Sequence, residues 1–426
     1  MPDILNILHS EYKVNPKILD SLQQAAEYCK PMFQAVEDIA EYNQVKVLQA
    51  FQKNGVSDFH LQGSTGYGYG DSGRDTLESV YATAFKAERA LVRSQIVSGT
   101  HAIAIALLGN LGPGDELISA TGAPYDTLQK VIGYHDEPGS CRKLGVIYKE
   151  IALKDQDIDL DALVNNITKK TRLILFQRSK GYEWRPSFTP QKLGRVIQEV
   201  KRHYPNVICL VDNCYGEFVD IAEPLEYGAD LIAGSLIKNP GGGLALTGGY
   251  LAGKEEYILQ AANRLTAPGI GLGVGASLNF NHLAFQGFFL APSIVAEALK
   301  GAILGAIFFK LLGYSVLPQA EEPRTDIIQA IKLGDRDKMI AFCRGLQRAC
   351  ALDAHVTPEP ALLPGYEDEV IMAGGTFIQG SSIEMSSDGP LRPPYNIYLQ
   401  GGLSLAHVKV GLALAAEEIL KQTGDL

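Results

Sequence analysis

Three stretches of this 426-residue chain set reactive side chains among small ones. In "IVSGTHAIAIALLGN", Ser98, Gly99 and Thr100 fall between a strand and a helix. The first amides of a helix have no partner within it and lie at the positive end of its dipole. With two hydroxyls beside them they offer an anion site. An ordinary Ser/Thr cap is the other use of the pattern. "CLVDNCYGEF" ends an apolar run on Asp212. An acid there can bind metal, hold a ribose, pair with a protonated ring nitrogen, or cap a turn. "GSLIKNPGGG" puts Ser235 three residues before Lys238, with Gly241–Gly243 just behind. Such a lysine either snorkels from a strand end to water, or it is buried with a depressed pKa and attacks aldehydes.

Each stretch alone has an ordinary explanation. In this order along an α/β chain, they supply what one ligand requires. They give a seat for a phosphate dianion, an acid for a ring nitrogen and an amine for an aldehyde. That ligand is pyridoxal 5'-phosphate, held covalently on Lys238. Tyr125, in "TGAPYDT", follows the next strand and is placed to stack on the ring.

The same residues, with "VSGTHAIAIAL", "GDELISATGAPYDTL", "VDNCYGEF" and "GSLIKNPGGG", resemble the fold-type I pyridoxal-phosphate enzymes of the Cys/Met-metabolism class. Within that class they are similar to the methionine gamma-lyase-like, or aluminium resistance, family of carbon–sulfur lyases. The resemblance extends through "GSTGYGYGDSGRDTLE", "QRSKGYEWRPS" and "FQGFFLAPSIVAEALKGA". It implies that Lys238 carries the cofactor as a Schiff base and that Asp212 pairs with the pyridinium nitrogen. It gives the phosphate to Gly99, Thr100 and Ser235, with Ser98 at the same turn, and the ring face to Tyr125. A Tyr-x-Arg from a neighbouring subunit completes the phosphate site in the better-known lyases. Here the matching segment is Tyr67-Gly-Tyr69, with the arginine displaced to Arg74. A carboxylate substrate calls for a bidentate guanidinium. Arg392 in "LRPPYNIYLQGG" is the first candidate and Arg178 the second.

The implied activity is β- or γ-elimination from a sulfur-containing amino acid of methionine, cystathionine or cysteine type. Lys238 and Tyr125 serve as the catalytic groups, in a homodimer or homotetramer with shared active sites. The alternatives are transamination, racemisation or γ-replacement with the same cofactor, or a cofactor-binding stress-response protein with little turnover.

The elements that must position these residues are legible as alternating strands and helices. Apolar runs such as "TRLILFQRS", "NVICLVDNCYG" and "ADLIAGSLIK" are short and continuous, as strands covered on both faces are. The expected fold is α/β, with a large, mostly parallel sheet domain and a smaller α+β domain. Residues 1–57 read as a helical segment, 58–290 as the large domain and 291–426 as the small one. Thr76 to Arg93 has helical spacing, "SQIV" reads as a strand, and a long apolar helix is expected at about 291–313. Short strands are expected around "HVTPEP", "EVIMAGGTF" and "YNIYLQGG". "GIGLGVGA" at 269–276 follows no convincing strand, so it suits a flexible pocket loop better than a dinucleotide site. "GDSGR" at 70–74 matches a serine-protease motif only in letters, because it opens a helix.

Composition narrows the field further. A net charge of −10 opposes nonspecific binding to nucleic acid or anionic membranes. Six scattered cysteines without CxxC spacing signal neither a zinc cluster nor a disulfide framework. Eight histidines show no metal-ligand pairing, so no metal is expected. The first residues lack a basic, apolar leader, so a cytoplasmic location is expected.

Overall fold

The computed structural model describes residues 4–363 and 366–424. Short apolar runs bounded by turns become a seven-stranded sheet. Its strands are β1 (Arg89–Arg93), β2 (Glu116–Ser119), β3 (Ile147–Glu150), β4 (Thr171–Gln177), β5 (Ile208–Asp212), β6 (Leu231–Ser235) and β7 (Gly249–Gly253). Their spatial order is β1-β7-β6-β5-β4-β2-β3. Strands β6 through β3 pair in parallel, and β7 runs against both β6 and β1. Every residue of β2, β5, β6 and β7 is buried, as the two-sided burial of a parallel sheet requires. Gln177 pairs with Asp212, and Asp212 with Ala233, so the carboxyl ends of β4, β5 and β6 lie side by side.

The Gly99–Asn110 helix is nearly all apolar because it is enclosed, lying against β6 and the Glu255–Leu265 helix. Its Ile103, Ala106 and Leu107 join Leu117, Leu173, Leu210 and Leu251 in one core. The Pro190–His203 helix starts where its sequence directs. Thr189 accepts from the Lys192 amide, and Pro190 fills the first turn.

A second sheet is antiparallel throughout. It contains β8 (Ser315–Leu317), β9 (Ile328–Lys332), β10 (Ala361–Leu362), β11 (Glu369–Ala373), β12 (Ser386–Pro390) and β13 (Asn396–Gln400), in the order β10-β11-β12-β13-β9-β8. The Arg336–Gln347 and Leu405–Thr423 helices pack on each other within the same unit. The chain divides into two compact units. One holds 42–181 and 187–291; the other holds 1–41, 182–186 and 292–426. The N-terminal helical segment read from sequence is thus shared between them, and the boundary read near 290 falls beside the division at 291. No described helix is long and apolar enough to cross a membrane.

Several boundaries differ from expectation. The helix begun near Thr76 is Ser72–Ala84, and "RALVR", not "SQIV", is the strand. Apolar residues of β1 happen to continue the helical spacing, but pairing with β7 draws them into the sheet. The long apolar helix begins at Phe280, because Asn281, His282 and Gln286 interrupt the apolar run without breaking the helix. "HVTPEP" is not a strand; pairing starts only at Ala361.

Candidate functional site

The site gathers at the carboxyl ends of β5 and β6 and the start of the Gly99–Asn110 helix, where open parallel sheets bind ligands. Ser98 is the cap of that helix, its Oγ accepting from the His101 amide at 3.0 Å. Ala102 donates to the Ser98 carbonyl. The amides of Gly99 and Thr100 therefore have no acceptor in the helical ladder. Gly99 is required by close approach: a Cβ there would lie 3.2 Å from Ser235 Cβ and 3.1 Å from Cys214 Sγ. Two free amides and Ser235 thus border one small space.

Thr100 Oγ1 lies 3.0 Å from the Tyr125 hydroxyl. The Tyr125 amide donates to Gln177 Oε1, which ties the segment after β2 to the end of β4. Asp212 is buried and accepts from the Cys214 amide at 3.1 Å. Lys238 is half-buried, with its Nζ 3.6 Å from the centre of the Tyr215 ring. Thr100, Tyr125, Tyr215 and Lys238 keep partial exposure while Asp212 and Ser235 do not. The site therefore presents a reachable amine above a hidden acid.

Burial pushes the Asp212 carboxyl up, and the nearby Lys238 ammonium opposes this. Burial likewise raises the Cys214 thiol and the Tyr125 phenol, each further raised by Asp212, so both keep their protons at neutral pH. Lys238 departs from expectation. Burial lowers its pKa, but the ionised forms of Cys214, Tyr215, Asp212 and Tyr125 outweigh burial and drive it up. The depressed lysine expected from sequence is not what these neighbours produce: an acid and an aromatic face favour the ammonium.

The residues present fit pyridoxal phosphate. Free helix-start amides and a hydroxyl suit a dianion, a buried carboxylate suits a ring nitrogen, and a reachable amine suits an aldehyde. Ser98, Gly99, Thr100, Tyr125, Asp212, Ser235 and Lys238 all belong to this assembly. Tyr67 and Tyr69 stack on each other, 72% and 73% exposed, on the loop before the Ser72–Ala84 helix. Arg74 is buried and donates to the carbonyls of Gly68 and Gly275, so it braces its own loop. Arg178 is buried and donates to Asn213 Oδ1 at 2.7 Å. Arg392 belongs to the other unit, where it is exposed and ion-paired with Asp368 at 2.7 Å.

The methionine gamma-lyase family profile matches residues 18–420. The chain belongs to the methionine gamma-lyase family. It is 53% identical over 390 residues to the Bacillus subtilis (strain 168) protein YnbB, covering 91% of this chain and 93% of that one. It is 45% identical to the structure of a carbon-sulfur lyase involved in aluminum resistance from Clostridium novyi NT. That match has a TM-score of 0.94 and covers 98% of this chain and 100% of the other. The pyridoxal-5'-phosphate dependent protein YhfS from Escherichia coli shares the fold, with 16% identity, a TM-score of 0.61 and coverage of 91% and 97%. The architecture is the fold-type I arrangement that the sequence led us to expect.

Sequence reasoning missed three residues of this methionine gamma-lyase family member: Cys214, Tyr215 and Glu217. All follow Asp212 in "DNCYGEF" and carried no motif. Tyr215 reaches Lys238 only because its backbone adopts φ 72°, which residue type does not announce for a tyrosine. The 269–276 loop is held by Arg93, which donates to the carbonyls of Val274 at 2.7 Å and Leu272 at 3.2 Å.

Proposed function

We propose that this protein is a pyridoxal-phosphate-dependent carbon–sulfur lyase. Its reaction is β- or γ-elimination from a sulfur-containing amino acid, followed by hydrolysis with water, giving an oxoacid, ammonia and a thiol. The observation that carries this reading is the meeting of Lys238, Asp212, Ser235 and the Gly99–Thr100 amides at one strand-end site. Family membership and the carbon-sulfur lyase name of the Clostridium novyi relative support it.

Bound pyridoxal phosphate supplies an aldehyde that captures amines and a ring that accepts the electrons left when an α-proton departs. The Gly99 and Thr100 amides and the Ser235 hydroxyl would hold its phosphate, Asp212 its ring nitrogen, Tyr125 its ring face and Lys238 its aldehyde carbon. With the cofactor held, the Lys238 Nζ would be the base placed to take the α-proton. The Tyr215 ring 3.6 Å away stabilises the ammonium so formed. Tyr125, whose hydroxyl lies 3.0 Å from Thr100 Oγ1, is the candidate to protonate the departing thiolate. Arg392 is the candidate for the substrate carboxylate. The exposed Tyr67 and Tyr69 pair faces a second copy of the chain.

Borohydride reduction in the presence of pyridoxal phosphate, followed by peptide mass analysis, tests the anchor. The wild type gains the mass of the reduced cofactor on the peptide containing Lys238, and Lys238→Ala does not. Labelling of a different lysine in the wild type would remove the assignment. Ammonia and oxoacid release from methionine, cystathionine and cysteine then separates elimination from exchange or transamination.

A further inference from the structure

Behind the strand ends lies a buried polar network that the reaction above does not use. It contains one guanidinium and two carboxyls: Arg178, Glu217 and Glu223. Glu223 takes the cation. It lies 3.5 Å from Arg178 and also accepts from Asn213 Nδ2 at 2.9 Å and the Phe218 amide at 2.9 Å. Among the described residues, Glu217 has no cation in hydrogen-bond contact. Its Oε1 accepts from the Tyr250 hydroxyl at 2.8 Å, and its buried Oε2 has no hydrogen-bond partner among the described residues. Such a carboxyl is far cheaper to bury neutral than ionised.

The site is built for that pair. A Cβ at Gly234 would lie 2.5 Å from Glu217 Oε1 and 2.5 Å from Tyr250 Cε1, so β6 is bare where they cross it. Gly234 and Ser235 are consecutive strand residues and face opposite sides of the sheet. The Glu217–Tyr250 pair therefore lies on the face of β6 away from the anion seat. The same turn is sewn to the reactive lysine. Asn239, next to Lys238, donates to the carbonyls of Tyr215 at 3.0 Å and Glu217 at 2.9 Å. Tyr215 and Phe218 both hold positive φ, so the turn's shape depends on its anchors.

We propose that Glu217 is a proton-bearing positioning residue for Lys238. As a neutral acid it anchors the 213–218 turn that keeps the Tyr215 ring beneath the lysine. When it ionises, its charge holds the lysine as an ammonium. This deepens the functional reading and rests on Lys238 being the reactive amine.

The titratable groups around Glu217 are Tyr250 on β7, Tyr81 on the Ser72–Ala84 helix, Glu223 and Cys214 near its own turn, and Lys238 beyond β6. Burial is the largest influence and pushes the Glu217 carboxyl up to about 8, with its own backbone amide, Tyr250 and Lys238 opposing and Glu223 adding to it. A raised carboxyl pKa stabilises the fold while protonated. That stability is present below the unfolded value and lost as pH rises toward about 8.

Two readouts independent of turnover test this on the cofactor-loaded protein. The first is the infrared band of a protonated buried carboxyl, followed as pH is raised. It is expected at neutral pH, lost as pH is raised further, absent in Glu217→Gln and shifted to higher frequency in Tyr250→Phe. The second is the rate at which Lys238 recaptures pyridoxal phosphate after its removal. Relative to the wild type, Glu217→Gln should capture progressively faster as pH passes 8, by about tenfold for each unit by which the lysine pKa falls. The absence of a neutral-pH band sensitive to Tyr250→Phe overturns the proposal, as does an unchanged pH profile of capture in Glu217→Gln. If Glu217→Gln does not fold, the band in the wild type and Tyr250→Phe decides alone. A wild type that captures no cofactor on Lys238 defeats the lyase reading instead, and the infrared result stands apart from it.

Discussion

At the scale of residues, the site works by matching each polar group to one task. Ser98 spends its hydroxyl on the His101 amide, and that leaves the Gly99 and Thr100 amides for an anion. Ser235 adds a hydroxyl to the same seat. Ser235→Ala should lose a hydrogen bond to a charged group, worth about 1.5–3 kcal/mol, and so hold pyridoxal phosphate roughly ten- to a hundredfold more weakly. Equilibrium dialysis of the cofactor measures this. The urea midpoint without cofactor should stay where it is in the wild type, because a buried serine replaced by alanine leaves no gap to fill. Lys238, Asp212 and Ser235 were legible because each ends an apolar run and their order suits one ligand. Tyr215 was not, since a tyrosine in the left-handed region is set by the Asn239 hydrogen bonds, 24 and 22 residues away in sequence.

Among the elements, the least obvious support comes from Arg93 at the end of β1. Its guanidinium meets Glu78 at 2.6 Å, with both side chains buried, and then reaches the carbonyls of Leu272 and Val274. Burial pushes the Glu78 carboxyl up, and Arg93 draws it back. Glu78→Ala strands a buried cation and should cost about 3–5 kcal/mol, read as a fall in the urea unfolding midpoint with unchanged slope. Replacing the pair together, Glu78→Leu with Arg93→Met, should recover most of the loss in the same measurement. The strands of the parallel sheet were readable because apolar runs of four to seven residues have few other fates. β1 was misread because its residues extend the spacing of the preceding helix. Only its partner β7, far along the chain, decides the matter.

For the whole molecule, the open question is what covers the Tyr67–Tyr69 stack. Two aromatic rings more than two-thirds exposed and ordered against each other are unusual on a monomer surface. Their loop is not loose. Asp71 accepts from Ser277 Oγ at 2.5 Å and from Ser64 Oγ, and Arg74 braces the loop from beneath. Burial would raise the Asp71 carboxyl, but these hydroxyl bonds outweigh it and hold it below its ordinary value. A second copy of the chain is the proposed cover. Tyr67→Ser with Tyr69→Ser should remove an aromatic anchor worth about 2 kcal/mol or more and weaken self-association about thirtyfold or more, as sedimentation would show. A wild type that sediments as a monomer at all concentrations would end this proposal. Sequence could name the tyrosines but not their exposure, which depends on the hydroxyl knot around Asp71.

The antiparallel β7 has a consequence for how such a chain is made. β1 touches the rest of its sheet through β7, and Arg89 pairs with Gly253, far later in the chain. During synthesis from the N-terminus, β2 through β6 can find their parallel partners while β1 still lacks its own. The growing chain therefore carries an unpaired five-residue strand with an apolar Ala-Leu-Val centre until residue 253 has emerged, and that edge is open to mispairing. Closure of the sheet has to wait for residue 253, and the Arg93 contacts to the 269–276 loop for residue 274.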